Sequence, residues 1–212
     1  MQVLRYLILF PALLLSSHLA SAQSSVELGF GVTGSGIAVD PIPVAYRSDF
    51  DGPITYLGYY VEGSALLMQH DTWKPRAIVR LQSEGSNTSK DWPEIRVLST
   101  SIGCMTGYQL TPVISLLAGG LANYQLSSRT ESFDNDQPIH ASNQPWSARI
   151  SGGVRGDFGR WSSEMLVEKS LTSQSGAVIL SREGSPSFRP SYSFLNVHLG
   201  LKYALFRSSV KS

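Results

Sequence analysis

Residues 95–126 read IRVLSTSIGCMTGYQLTPVISLLAGGLANYQL, and their alternation decides the fold class. In the first half Leu98, Ile102, Cys104 and Tyr108 fall on one face, and Ser99, Ser101, Gly103 and Gly107 on the other. In the second half Ile114, Leu116, Ala118, Ala122 and Tyr124 oppose Ser115, Gly119, Asn123 and Gln125. Side chains leave a β-strand on alternate sides, so period two marks a strand with one apolar and one polar face. Only Thr111 and Pro112 separate the two halves. Pro has no amide to give a ladder, so this junction reads as a tight turn between antiparallel neighbours.

Six further segments alternate in the same way: residues 25–33, 56–69, 76–84, 146–158, 161–171 and 192–206. Eight strands follow, most of them long enough to cross a bilayer when tilted. The connections are sorted. Residues 34–55, 127–145 and 172–191 are long, 85–94 is of medium length, and 70–75, 111–112 and 159–160 are short. Long connections at one end and short turns at the other describe a closed, up-and-down, antiparallel transmembrane β-barrel, with both termini at the short-turn end. Aromatic residues gather near strand ends. Trp73, Tyr108, Phe158, Trp161, Tyr203 and Phe206 fall at the short-turn end, and Tyr56, Tyr59, Trp92, Tyr124, Trp146 and Tyr192 at the other. Two such girdles suit a bilayer, because amphipathic rings settle at headgroup depth.

The N-terminus bears on location. Residues 1–22, MQVLRYLILFPALLLSSHLASA, carry one basic residue, an apolar run and a small-x-small end, which reads as a signal peptide cleaved after Ala22. The run is too short for a helical span. The expected organisation is a signal peptide (1–22), a barrel (23–206) and a polar tail (207–212), in the outer membrane of a Gram-negative-type envelope. Across the chain 17 basic and 16 acidic residues nearly cancel, which argues against a nucleic-acid partner. A single cysteine excludes a disulfide framework.

The polar face carries Glu27, Glu62, Glu84, Glu164 and Glu168 against Arg76, Arg80, Arg149, Arg155 and Lys202. An eight-stranded barrel is filled by its own side chains, so these charges are expected to form an interior network. Glu62 and Arg80, on adjacent strands, should belong to it. Removing either should cost about 3–5 kcal/mol, and exchanging the two should restore much of the loss. Alternation alone also fits a soluble lipocalin-like barrel with the faces reversed; the girdles, the sorted connections and the export signal favour the membrane.

The strand, Tyr-containing end, Pro turn and Gly-Gly strand of residues 95–126 resemble the PorT-type outer-membrane β-barrel family. Residues 148–158, 161–171 and NVHLGLKYALF at 196–206 fit the same pattern, over essentially the whole mature chain. The resemblance implies a small outer-membrane barrel, with some members linked to protein export or surface attachment, and it supplies no functional residue. The chain departs from the pattern at its end, where Phe206 is followed by six further residues rather than closing on an aromatic.

No catalytic, cofactor or metal residue is assigned. GVTGSG at 31–36 lacks the helix that a phosphate cradle needs. His198 with Ser193 and Glu164 or Glu168 gives an alternative reading as a lipid-acting hydrolase, set against a plain interior histidine. Glu131 with residues 134–136, and residues 49–52, offer oxygens without a calcium-loop spacing. Cys104 lies on the apolar face, and residues 87–89 match a glycosylation sequon in an exposed loop. The expected role is non-enzymatic, structural or surface-binding. Its partners are outer-membrane lipid and, through the long connections, a protein or envelope component met by Tyr46, Phe50, Phe133, Arg182 and Phe188.

Overall fold

The computed structural model describes residues 25–40, 55–68, 70, 72–86, 94–131, 145–175 and 191–206. Its strands are β1 (Val26–Asp40), β2 (Thr55–Leu66), β3 (Trp73–Ser86), β4 (Glu94–Gln109), β5 (Ile114–Glu131), β6 (Trp146–Phe158), β7 (Trp161–Ser170), a two-residue β8 (Gln174–Ser175) and β9 (Ser191–Phe206). Each long strand pairs antiparallel with the next, and β1 pairs with β9, so eight strands close into a barrel. The short β8 pairs with the end of β9 beyond β7 and is not a stave of the wall. Val26 lies opposite Phe206, which puts both ends of the wall beside the short turns.

Register fixes the shape. Directly opposed residues lead from Val26 through Ala65, Ala77, Cys104, Gly120, Ile150, Lys169 and Leu195 back to β1 at Gly36, ten residues further on. With eight strands this offset tilts them about 40° from the barrel axis and holds the wall roughly 8 Å from it.

The faces are inverted relative to a soluble protein. Leu28, Phe30, Val32, Leu57, Val61, Ile150, Leu195, Leu199 and Leu201 point outward and are exposed. Arg80, Glu84, Asn123, Glu168, Asn196 and His198 point inward at 0% exposure. This excludes the soluble lipocalin-like arrangement, which needs the apolar face inside. A chain that faces apolar side chains outward and pairs its backbone groups round a closed wall meets what a bilayer demands.

Several strands run further than the sequence reading gives. Residues 34–40 belong to β1 rather than to a loop, because β9 pairs with them as far as Asp40. Residues 127–131 extend β5 against β4, and residues 73–75 open β3 opposite Tyr108. Tyr56 also differs: it is half-buried and hydrogen-bonded to Ser83, not part of an outer girdle. The connection at 159–160 is a two-residue turn, with Gly159 at φ 66°, a conformation that suits glycine. At the β4–β5 turn Thr111 Oγ1 accepts the amides of Val113 and Ile114, a side-chain cap that holds the turn without Pro112 donating.

Candidate functional site

The inward faces of β1, β2, β3, β6, β7 and β9 contribute to one structure, a chain of ion pairs along the lumen. Arg76 pairs with Glu27. Arg155 grips Glu27 with both terminal nitrogens at 2.8 Å and reaches Glu164 at 2.9 Å. Lys202 lies 2.7 Å from Glu164 and pairs also with Glu62. Arg80 sits 2.7 Å from Glu62 and 2.9 Å from Glu168. Arg149 lies 3.0 Å from Glu168 and closes on Glu84 at 2.7 Å. Five carboxylates and five cations therefore alternate without a break from Arg76 to Glu84, with Asp157 a side branch 2.8 Å from Arg155. Each buried charge has an opposite one in contact, which offsets the desolvation that burial imposes. Two of the pairs, Arg155–Glu27 and Arg149–Glu84, are two-pronged, the geometry in which a guanidinium holds a carboxylate best.

The structure brings together Glu27, Glu62, Arg80, Arg149, Arg155, Glu164, Glu168 and Lys202, with Glu84 and Arg76 at the two ends, all ten on the polar face in the sequence. One expectation changes. Glu62 also binds Lys202, and Arg80 also binds Glu168, so exchanging the two would put Arg against Lys202 and Glu against Glu168. Exchange should not restore stability.

Around the chain are neutral hydrogen bonds. Glu84 also accepts from Ser99, Gln82 and Asn196 at 2.9, 3.1 and 2.8 Å. Ser101 donates to Asn123 Oδ1 at 2.8 Å. Tyr60 lies under the Arg80 guanidinium, 5.2 Å from its ring centre, and edge-on to His198. Two inward glycines make room for it: a Cβ on Gly200 would stand 1.9 Å from the Tyr60 hydroxyl, and one on Gly31 2.7 Å from its ring.

A second filling was missed in the sequence. Ile78, Met105, Leu117, Leu121 and Leu166 form an apolar cluster inside the barrel. Each stands directly opposite a glycine: Ile78 and Leu121 face Gly103, Met105 faces Gly119, and Leu117 and Leu166 face Gly153. Large side chains thus occupy space that their neighbours vacate, which packs a narrow lumen densely. The signal was present as inward Gly-Leu alternation, obscured because β5 carries leucine on both faces.

Outside, three Trp–Tyr pairs sit directly across ladders: Trp73–Tyr108 and Trp161–Tyr203 at 4.9 Å between ring centres, and Tyr124–Trp146 at 4.7 Å. Phe158 and Tyr59 are exposed on the same outer surface. Trp92 lies outside the described residues, as do the signal segment 1–22, the tail 207–212, the sequon, the acidic residues 49–52 and 134–136, and the aromatic and charged residues singled out in the long connections.

The Ser–His–carboxylate arrangement does not form. Ser193 is five positions from His198 on β9, so alternation sends the two to opposite faces. His198 Nε2 lies 3.8 Å from Glu168 and 3.4 Å from Arg80, inside the sealed lumen. Among the described residues no group of acidic, histidine or cysteine side chains is placed to hold a metal ion.

No protein-family model matches the chain, and no curated protein matches it significantly. Solved structures do. Neisserial surface protein A superposes with a TM-score of 0.55 at 6% identity, over 85% of this chain and 97% of that one. Ail, the attachment invasion locus protein of Yersinia pestis, gives 0.48 at 10% identity over 85% and 99%. OprG, an outer membrane protein of Pseudomonas aeruginosa, gives 0.45 at 12% over 86% and 96%. At such identities the likeness concerns the fold, and the first comparison carries it: this is the closed eight-stranded architecture of small outer-membrane barrels.

Proposed function

We propose that this chain is a non-enzymatic outer-membrane barrel, a membrane-spanning platform that acts through its long connections rather than through its lumen. The observation that carries this reading is the filled interior. A water-filled bore would leave its lining accessible, yet Arg80, Glu84, Glu168, Asn123 and His198 are at 0% exposure. Charges already held in pairs are poor acids, bases or nucleophiles, which speaks against turnover in the barrel. The outward apolar surface and its Trp–Tyr pairs support an outer-membrane location, with residues 1–22 as the export signal removed after Ala22, residues 23–206 as the barrel and 207–212 as a tail. A PorT-type affiliation, with a role in export or surface attachment, rests on the strand–turn–strand pattern of residues 95–126.

Envelope fractionation with a heat-modifiability gel tests the location; recovery in the soluble or inner-membrane fraction would overturn it. Planar-bilayer recording tests the filled lumen, with a baseline conductance expected. Replacing residues 41–54, 132–144 and 176–190 by tight turns should preserve insertion and abolish the cellular phenotype of the gene. A shortened barrel that still complements a deletion strain would move the function to the wall or the lumen.

A further inference from the structure

The outer surface of the wall carries a charge inside its apolar band. On β7 Trp161, Met165, Val167 and Lys169 are exposed, while Glu164, Leu166, Glu168 and Ser170 are buried. Lys169 therefore points outward, although its neighbour Glu168 belongs to the ion-pair chain of the lumen. Directly across the two ladders stand Ile150 on β6 and Leu195 on β9, both exposed on the same outer surface. Lys169 makes no ion pair or hydrogen bond with any described residue.

Its depth follows from the register. With strands tilted about 40°, each residue advances about 2.5 Å along the axis, and each step across the wall from β6 to β7 to β9 rises about 3 Å. Lys169 is eight residues beyond Trp161 on one strand, hence about 20 Å above the aromatic level at the short turns. Trp146 is four residues beyond Ile150, so its level lies about 7 Å higher than Lys169. The two aromatic levels are then roughly 27 Å apart, close to the height of the apolar band of an outer-membrane barrel. Among the described residues of the outward face between these levels, Lys169 is the only charged side chain. Arg96 stands beyond them, four residues past the Thr100 that faces Tyr124.

A charge on a lipid-facing wall is disfavoured unless it reaches the headgroups or meets a countercharge. The lysine stem can lie along the wall and lift its amine toward the Trp146 level. Ser193, on the same outward face of β9 and two residues beyond Leu195, lies about 8 Å above Lys169 along the axis. The tilt brings it over Lys169, because a path up the axis from β7 crosses toward β9. Below, Val167, Val197 and Leu199 are exposed and apolar. A cation and a hydroxyl near headgroup depth, over an apolar surface, match an amphiphile with an anionic head and hydrocarbon chains. A free anion would leave the apolar surface uncovered. A zwitterionic lipid brings its own ammonium to its phosphate, whereas an anionic lipid does not and gains more from Lys169.

We propose that Lys169 and Ser193 hold the phosphate of an anionic membrane lipid at the long-connection end of the barrel, with its acyl chains laid along Ile150, Val167, Leu195 and Val197. The site rests on the outer-membrane reading above and names the lipid class that the wall selects. The test uses the full protein purified from membranes, in phosphatidylcholine nanodiscs with a rising fraction of phosphatidylglycerol. The side-chain signals of Lys169 and the methyl signals of Leu195 and Val197 report the site, and the Leu116 methyls on β5 report the bulk bilayer. The expected result is a saturable shift at the site and not at Leu116. Its apparent affinity should fall roughly fivefold in Lys169→Gln and be kept in Lys169→Arg, with a smaller loss in Ser193→Ala. An equal affinity in Lys169→Gln, a matching shift at Leu116, or the same response to inorganic phosphate in discs of phosphatidylcholine alone would overturn the proposal. A barrel that enters the discs and shows no shift sinks the site alone; a chain that does not enter them sinks the outer-membrane reading with it.

Discussion

Two regions of the lumen are filled by opposite means. On β3, β4, β5 and β7 the filling is Ile78, Met105, Leu117, Leu121 and Leu166, each opposite a glycine. Along the rest runs the chain of charges from Arg76 to Glu84. The apolar region is held by volume, and a neighbour of similar size can replace any member. The charged region is held by matching, and losing an inner member takes an ionic partner from each of two neighbours, losing an end member from one. The first region should therefore tolerate change in proportion to atoms removed, the second according to position along the chain.

The largest effect should come from the middle of the charged region. Arg80→Ala leaves Glu168 with Arg149 alone and Glu62 with Lys202 alone, inside a sealed lumen. A loss of about 3–5 kcal/mol is expected in urea unfolding from lipid vesicles. An unchanged midpoint would mean that the residue does not face inward. Next is Leu166→Ala, which removes a fully buried side chain from the apolar cluster. It should cost about 3 kcal/mol, while Leu166→Met should stay below about 1.5 kcal/mol. If the two variants unfolded alike, filling by volume would be the wrong description. Gly153→Ala comes third. Its new methyl would lie 2.0 Å from the Met165 carbonyl oxygen and 2.9 Å from a Leu166 methyl, so the main chain must shift. A loss of about 2 kcal/mol is expected, together with moved Leu166 methyl resonances. The smallest effect belongs to Arg76→Ala, at the end of the charged chain and the least buried of its cations. Glu27 keeps both prongs of Arg155, and the loss should be about 1 kcal/mol in the same unfolding assay. A cost matching that of Arg80 would show that position along the chain does not matter.

The sequence carried the barrel well, because a single period of two sets both the strands and their faces. It carried the charged region in part. Glu62 and Arg80 face each other across one ladder, so their contact follows from neighbouring strands. Arg155 with Glu27 and Arg149 with Glu84 meet only after the wall has closed, across 128 and 65 residues. No local pattern encodes such a pairing. The apolar cluster was hidden for another reason. Leu116-Leu117 and Leu166-Val167 put apolar residues on both faces, and the eye takes the first that fits. The strand at 34–40 was hidden by Gly34 and Gly36, which read as loop residues until β9 is seen to pair with them.

The strict alternation of the charged chain has a consequence for how the protein can change over generations. Its two terminal groups, Arg76 and Glu84, are of opposite sign and each has one ionic neighbour within the chain. Shortening from an end by a whole pair, such as Arg76 with Glu27, leaves an even number of members whose charges cancel along the chain. Shortening by one leaves an odd number and a net charge. Viable variants should therefore differ by pairs lost from the ends inward, and the Glu62–Arg80–Glu168 segment should be the last to go.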